Sequence, residues 1–263
     1  SYNQPRREQR QMVIKAGHEL GIMVVPEGGS TLHTMMTMLL DGHTTLEHPV
    51  PVAPLYDPEL RLMSRFGTGY TPTLIVGYGG LSGEFFFYER FDVWTNERLM
   101  RFTPRDVVDP RSRRRLKAAG DEDYNHIALA RHVNELNQAG VLTNVGAHGQ
   151  LQGLGAHWEL WMFVQGGMSE MDAIRSATIN PALSLGLAED LGSIEEGKLA
   201  DILVLNGNPL EDIHESESIG LVMANGRLFD GMTLFETGNY SSPRPTLWFE
   251  RTRPMTPGGG VPQ

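Results

Sequence analysis

Three side chains stand out for chemistry: Glu27, His48 and His148. Glu27 follows the apolar run Gly21-Ile-Met-Val-Val25, His48 closes Thr44-Thr-Leu-Glu47, and His148 follows Val141-Leu-Thr-Asn-Val145. Carboxylate and imidazole ligate zinc and similar divalent ions, and both also serve as general acids and bases. Taken singly, each has a plainer explanation. A Glu after a strand is a surface anion or a partner for a helix N-terminus, and a His at a strand end is a hydrogen-bonded structural residue. No HExxH or GxSxG string occurs, so no local motif assembles the three residues. Only the fold can bring them together.

The elements around them would do so. Arg7 to Leu20 reads as a helix, and Gly21–Val25 as a buried strand ended by Pro26-Glu27-Gly28-Gly29. Ser30 is placed to cap a helix whose apolar face is Leu32, Met35, Met36, Leu39 and Leu40, with Gly42 suited to its C′ position. Thr44–Glu47 reads as the next strand. Strand, helix, strand at this length is a right-handed βαβ unit with parallel strands. Asp57 to Phe66 is helical in pattern, Thr73-Leu-Ile-Val76 reads as a third strand and Val141–Val145 as a fourth. In such a fold the loops after the strands share one edge, where α/β enzymes build their sites. Glu27, His48 and His148 all fall on that edge.

The remaining stretches are less regular. From Gly77 to about Tyr124 the strand–helix rhythm breaks around Phe85-Phe86-Phe87-Tyr88. The length suggests either a lid or binding loop, or an insertion packed on its own aromatics. In the first case Tyr78, Phe86 and Tyr88 would line a substrate pocket, as would His157 after the Gly-rich stretch 149–155. Asn125 to Gln138 reads as a helix, and His126 and His132 on it carry no expected chemistry. His33 and His43 read as structural or exposed. His157 to Gln165 is strongly apolar. Ser169 with Asp172 resembles a capping box, and Asn180-Pro181 suggests another helix start. The pattern then changes to short strands at Gly192-Ser-Ile, Ile202–Leu205, Leu221–Met223 and Arg227–Phe229, with a hairpin turn at Asn225-Gly226.

Composition narrows the classes. The 263 residues are 40% hydrophobic and 21% charged, with a net charge of -10. That is a globular composition and argues against disorder and against general nucleic-acid binding. Basic residues gather at Arg111, Arg113, Arg114, Arg115 and Lys117, where a solvated surface is expected. No run approaches a membrane span, and no secretory signal is visible in SYNQPRREQR. The compartment stays open. There are no cysteines, which excludes disulfides, thiolate zinc ligands and a thiol nucleophile.

Longer strings carry a resemblance. Gly186-Leu-Ala-Glu-Asp-Leu-Gly-Ser-Ile-Glu-Glu-Gly-Lys-Leu-Ala-Asp-Ile-Leu-Val-Leu205, Gly207-Asn-Pro-Leu-Glu-Asp212 and Val222-Met-Ala-Asn-Gly226 resemble the C-terminal hallmark of the metal-dependent amidohydrolase superfamily. Ala173-Ile-Arg-Ser-Ala-Thr-Ile-Asn180 looks like its "A-RAAT-N" helix, and Thr45-Leu-Glu-His48 like the "IEH" that ends its sixth barrel strand. The likeness is greatest to the imidazolonepropionase-like and Xaa-Pro-dipeptidase-like branch. Val25-Pro-Glu-Gly-Gly29, Asp41-Gly-His-Thr44 and Gly146-Ala-His-Gly-Gln150 look like members fused to TolB-type β-propellers.

The resemblance implies an α/β fold: the second half of a TIM-like (β/α)8 barrel, strands five to eight, with a small β-sandwich segment. On that mapping residues 1–190 are the half-barrel with the insertion at about 77–124, 191–248 the sandwich segment and 249–263 a Pro/Gly-rich tail. Family metal ligands come from a His-x-His after the first strand, a Lys on the fourth, a His on the fifth and sixth, and an Asp on the eighth. His48 matches the sixth-strand His, Glu27 stands in place of the fifth-strand His, and His148 in place of the eighth-strand Asp. The implied activity is hydrolysis of an amide, peptide or cyclic C–N bond with a divalent metal, zinc first among them. His48, Glu27 and His148 would be ligands, and His148 and Glu27 bases. The implied partners are an N-terminal half of the same enzyme, as a separate or cleaved chain, and a small amide or peptide substrate, in an oligomer. Two alternatives stand beside this: a non-catalytic barrel module for binding or assembly, and a processed hydrolase with Ser1 as nucleophile.

Overall fold

At the centre, Thr45–Glu47 (β1) pairs in parallel with Gly69–Thr71 (β2), Leu46 opposite Tyr70. The chain at Val141–Val145 joins on the far side of β2. Tyr70 N–H donates to Leu142 O (2.8 Å), Asn144 N–H donates to Tyr70 O (2.8 Å), and a parallel bridge joins Tyr70 to Thr143. Leu46 and Tyr70 are buried, as a parallel sheet covered on both faces requires. This computed structural model describes residues 6–29, 31–52, 54–77, 79–112 and 119–252.

Helices surround that sheet. Arg7–Leu20 (α1) and Leu32–Asp41 (α2) precede β1, and Asp57–Phe66 (α3) links β1 to β2. Each ends on a glycine in the left-handed region, Gly21, Gly42 and Gly67, as Gly readily allows. Arg10 and Arg7 tie α1 to Thr37 and Asp41 of α2. The insertion is helical, with Gly83–Arg90 (α4), Glu97–Phe102 (α5) and Arg105–Ser112 (α6). Asn125–Gln138 (α7), Leu154–Gln165 (α8), Glu170–Ser176 (α9) and Ile179–Ser184 (α10) follow. A second, antiparallel sheet comprises Ile202–Leu205 (β3), Ile219–Ala224 (β4) and Arg227–Asp230 (β5), in the order β3-β4-β5. Trp248–Thr252 forms α11. The core lies between α2, α4, α7, α8 and the parallel strands, with Met35, Phe87, Leu136, Trp158 and Phe163 buried in it.

Several expectations need correction. Gly21–Val25 enters no ladder; Thr44 N–H donates to Val24 O (3.1 Å), and Val24 N–H reaches the Thr44 hydroxyl (3.3 Å). The third strand lies at Gly69–Thr71, and Leu74–Val76 is a 3-10 turn. A short buried apolar run is compatible with either state, and periodicity alone does not separate them. Val141–Val145 supplies one bridge, not a continuous strand. Gly192-Ser-Ile is not a strand, and Gly192 sits at φ 95°. Thr178, not Asn180, is the N-cap of α10; Asn180 Nδ2 donates instead to Thr143 O (3.1 Å). Thr31 caps α2. Ser1, Ser30, Tyr78, Arg113, Arg114, Arg115, Lys117 and the tail from Pro254 lie outside the described residues. Among the described residues no helix is long and apolar enough to cross a membrane.

Candidate metal centre

Glu27, His48 and His148 converge. Each offers a ligand atom, and these atoms all lie within 4.8 Å of one another. His48 Nε2 is 2.5 Å from Glu27 Oε1. The rings of His48 and His148 meet edge to face, with centroids 5.1 Å apart. His48 is buried, Glu27 half-buried and His148 exposed, so the cluster opens to solvent on the His148 side.

Close backbone packing sets this geometry. A Cβ on Gly28 would lie 1.9 Å from Glu47 O and 3.0 Å from His48 Cβ; only glycine lets the Glu27 loop lie on the end of β1. A Cβ on Gly146 would lie 2.5 Å from Thr71 Cγ2 and 2.6 Å from Thr73 Oγ1, so the His148 loop presses on the end of β2 in the same way. His48 (φ 69°) and His148 (φ 52°) both adopt the left-handed region. Non-glycine residues there carry strain that the surroundings must hold. Beyond His48, Val50 N–H donates to the buried Tyr70 hydroxyl (3.0 Å), which anchors the chain leaving β1.

The donor set suits a divalent ion. Two imidazoles and one carboxylate leave coordination positions for water or substrate. Ligand atoms about 3.3 Å apart follow from tetrahedral zinc with 2.0–2.1 Å bonds. The three ligand atoms, all within 4.8 Å of one another, are near enough to share one ion. Gln150 Oε1 lies 3.1 Å from His148 Nδ1. An amide oxygen only accepts, so Nδ1 carries the proton and Nε2 presents its lone pair.

The other expected pocket residues lie elsewhere. Phe86 and Tyr88 are buried on α4: Phe86 meets Tyr124 and His126 edge to face, and Tyr88 meets Trp158. Phe87 stacks on Trp158 with centroids 4.7 Å apart. The insertion therefore packs on its aromatics. Tyr78 lies outside the described residues. His157 Nδ1 pairs with Ser216 Oγ (3.1 Å), and burial, with Arg98 nearby, lowers its pKa to about 4. It is neutral at physiological pH. Burial also lowers His126 to about 4; it pairs with Gln165. His43 is buried against Val24 O, and His33 is exposed.

One residue escapes a sequence reading built on strand ends. Glu159, on α8, is fully buried, and both its oxygens accept backbone N–H groups: Oε1 from Leu74 (2.7 Å) and Oε2 from Ile75 (3.1 Å). Those bonds favour the ionised form, burial opposes it, and burial prevails: the pKa rises to about 8. The available signal was a lone carboxylate inside Trp158-Glu-Leu-Trp-Met-Phe163, since a charge in an apolar helix needs buried partners.

Comparisons with known proteins agree with the fold. Residues 130–229 match the model of the amidohydrolase family. The ochratoxinase of Aspergillus niger is 42% identical over 71 residues, 26% of this chain and 15% of that protein. The imidazolonepropionase of Thermoplasma acidophilum is 38% identical over 73 residues, 28% of this chain and 17% of that protein. A Xaa-Pro dipeptidase solved with methionine in its active site superposes with a TM-score of 0.61 at 26% identity, covering 86% of this chain and 49% of that one. The chain thus spans about half the length of that structure. Over residues 130–229 it is similar to the amidohydrolase family.

Proposed function

We propose that this chain supplies part of the active site of a hydrolase acting on an amide, peptide or cyclic C–N bond through metal-activated water. The observation that carries the reading is the convergence of Glu27, His48 and His148 within 4.8 Å from three separate loops. The hydrolase names of the relatives agree with it: an ochratoxinase, an imidazolonepropionase and a Xaa-Pro dipeptidase.

His48, His148 and Glu27 would hold the ion, zinc first among candidates. When bound, a divalent ion polarises the substrate carbonyl and makes water acidic near neutral pH. Glu27 has a second carboxylate oxygen besides the one on His48, and that oxygen takes the proton of the attacking water. His148 Nε2, with Nδ1 held by Gln150, would be the alternative acceptor where His148 serves as base and not as ligand. The protonated group then returns its proton to the leaving nitrogen.

The reading includes a companion, the first half of a TIM-like barrel, within one polypeptide or as a second chain. It is supported by the span of about half the solved dipeptidase and by the short central sheet. The antiparallel strands β3–β5, which expose Leu203 and Val204, would belong to a small sandwich completed by that companion.

Metal analysis and hydrolysis of N-acyl amino acids and dipeptides test the site, with the companion half present. Near-stoichiometric zinc is expected in the wild type, with loss of both metal and activity in His48→Ala. Metal-free protein whose hydrolysis is unchanged in His48→Ala would sink the reading.

A further inference from the structure

Glu159 is a buried carboxylate that the metal cluster does not use. Its two oxygens bind the consecutive amides of Leu74 and Ile75, the start of the turn after β2. One helical turn earlier on α8, Gly155 touches two loops at once. A Cβ there would lie 3.5 Å from Ile75 Cδ1 and 3.6 Å from Ala147 Cβ. Gly155 and Glu159, four residues apart, share one helix face. Ala147 precedes His148. Thr73, just before the clamped amides, is held at φ 51°, and Gly146 rests on it, its absent Cβ leaving room for Thr73 Oγ1. The turn at 73–76 and the loop at 146–148 therefore brace each other, and α8 braces both.

We propose that Glu159 is a positioning residue for His148: its carboxyl locks the turn at Leu74–Ile75, that turn backs Gly146 and Ala147, and the backing keeps His148 edge-on to His48. This rests on the metal-site reading above. The chemistry explains why a carboxyl group serves, since both its oxygens keep lone pairs whether it is ionised or protonated. Two adjacent amides pointing into an apolar helix face need two acceptors on one side chain. An apolar residue offers none, and an amide offers one acceptor and sets an N–H₂ against the second amide.

A role in stability alone would lower the melting temperature and leave His148 where it is, so the readout must be His148 itself. The experiment records imidazole resonances of 15N-histidine-labelled full chain, assigned with His148→Ala, and Co(II) affinity from the absorption of the bound ion. Glu159→Leu, Glu159→Gln and a remote core control, Leu136→Ala, are compared at a temperature where each is folded. Expected are shifted His148 resonances and about tenfold or greater loss of Co(II) affinity in Glu159→Leu, as when the outer partners of metal ligands are removed. Glu159→Gln should be intermediate and Leu136→Ala unchanged on both readouts. If Glu159→Leu does not fold, Glu159→Gln decides. His148 resonances and Co(II) affinity equal to wild type in the Glu159 variants overturn the proposal, as does an equal change in Leu136→Ala. If the wild type binds no Co(II) even with the companion half present, the metal reading falls instead, and the His148 resonances still decide whether Glu159 positions that ring.

Discussion

The hairpin at Asn225-Gly226 and the strand ends at His48 and His148 use the same left-handed backbone region for different reasons. Asn225 (φ 48°) and Gly226 (φ 75°) form a two-residue turn between β4 and β5, with Met223 opposite Leu228 in the ladder. Asn and Gly favour that conformation, so four neighbouring residues nearly determine it. His48 and His148 have side chains that do not ask for it, at an intrinsic cost of about 1–2 kcal/mol each. They are held by partners distant in sequence: Gly28 on Glu47, Tyr70 on Val50, Gly146 on Thr73. The turn is local chemistry, and the mouth of the parallel sheet is imposed by tertiary structure. Binding groups can be strained only where the surroundings are stiff enough to hold them.

That contrast can be broken most strongly at Gly28. Gly28→Ala puts a methyl group against Glu47 O, and a destabilisation of about 3 kcal/mol is expected, with loss of metal binding. Urea unfolding and metal analysis check it; wild-type metal content would mean the mouth is less rigid than its packing implies.

The next effect is a pH dependence at the mouth. Between its ordinary value of 4.5 and about 8, folded Glu159 holds a proton that the unfolded chain has released, so stability falls as pH rises across that window. His126 and His157, lowered to about 4, act oppositely up to pH 6.5 and then stop contributing. From pH 6.5 to 8 the decline attributable to Glu159 is about 2 kcal/mol. Tyr70, buried within electrostatic reach of Glu159, titrates far higher and stays neutral throughout. Thermal melts across this range should show the slope in wild type and its loss in Glu159→Gln; equal slopes would contradict it.

In the second sheet the expected costs are smaller and leave the site alone. Arg98→Ala removes a guanidinium bound to three carbonyls and should cost about 2 kcal/mol with His148 resonances unmoved. Gly226→Ala should cost about 1 kcal/mol, again without change in metal affinity. A loss of metal in either variant would erase the distinction between the regions.

The same division explains how much could be read from the sequence. Arg7–Leu20, Asp57–Phe66 and Asn125–Gln138 form over the residues their patterns mark. Gly42 and Ser169 take their capping roles, and the Asn-Gly turn falls where expected. All depend on neighbours a few residues away. Placing Glu27, His48 and His148 on a common edge needed only the topology. Leu74–Val76 misled because its fate depends on Glu159, 85 residues from Leu74 along the chain. Phe86 and Tyr88 looked fit for a pocket because aromatic type alone does not separate lining from core.

Arg98 also bears on how the molecule comes apart. From α5 it donates to the carbonyls of Gly231, Glu217 and Ile219, and beside it Asn96 Nδ2 donates to Glu217 (3.1 Å). The antiparallel sheet is three strands of four, six and four residues, near the lower limit for an independent sheet. Its start at β4 is stitched to the insertion, and the insertion is stacked on Trp158. Opening the sheet therefore exposes a cation's partners and loosens an aromatic core together. In native-state hydrogen exchange the amides of β4 should exchange with those of α5 as one cooperative unit, and the insertion is the splint that makes them one.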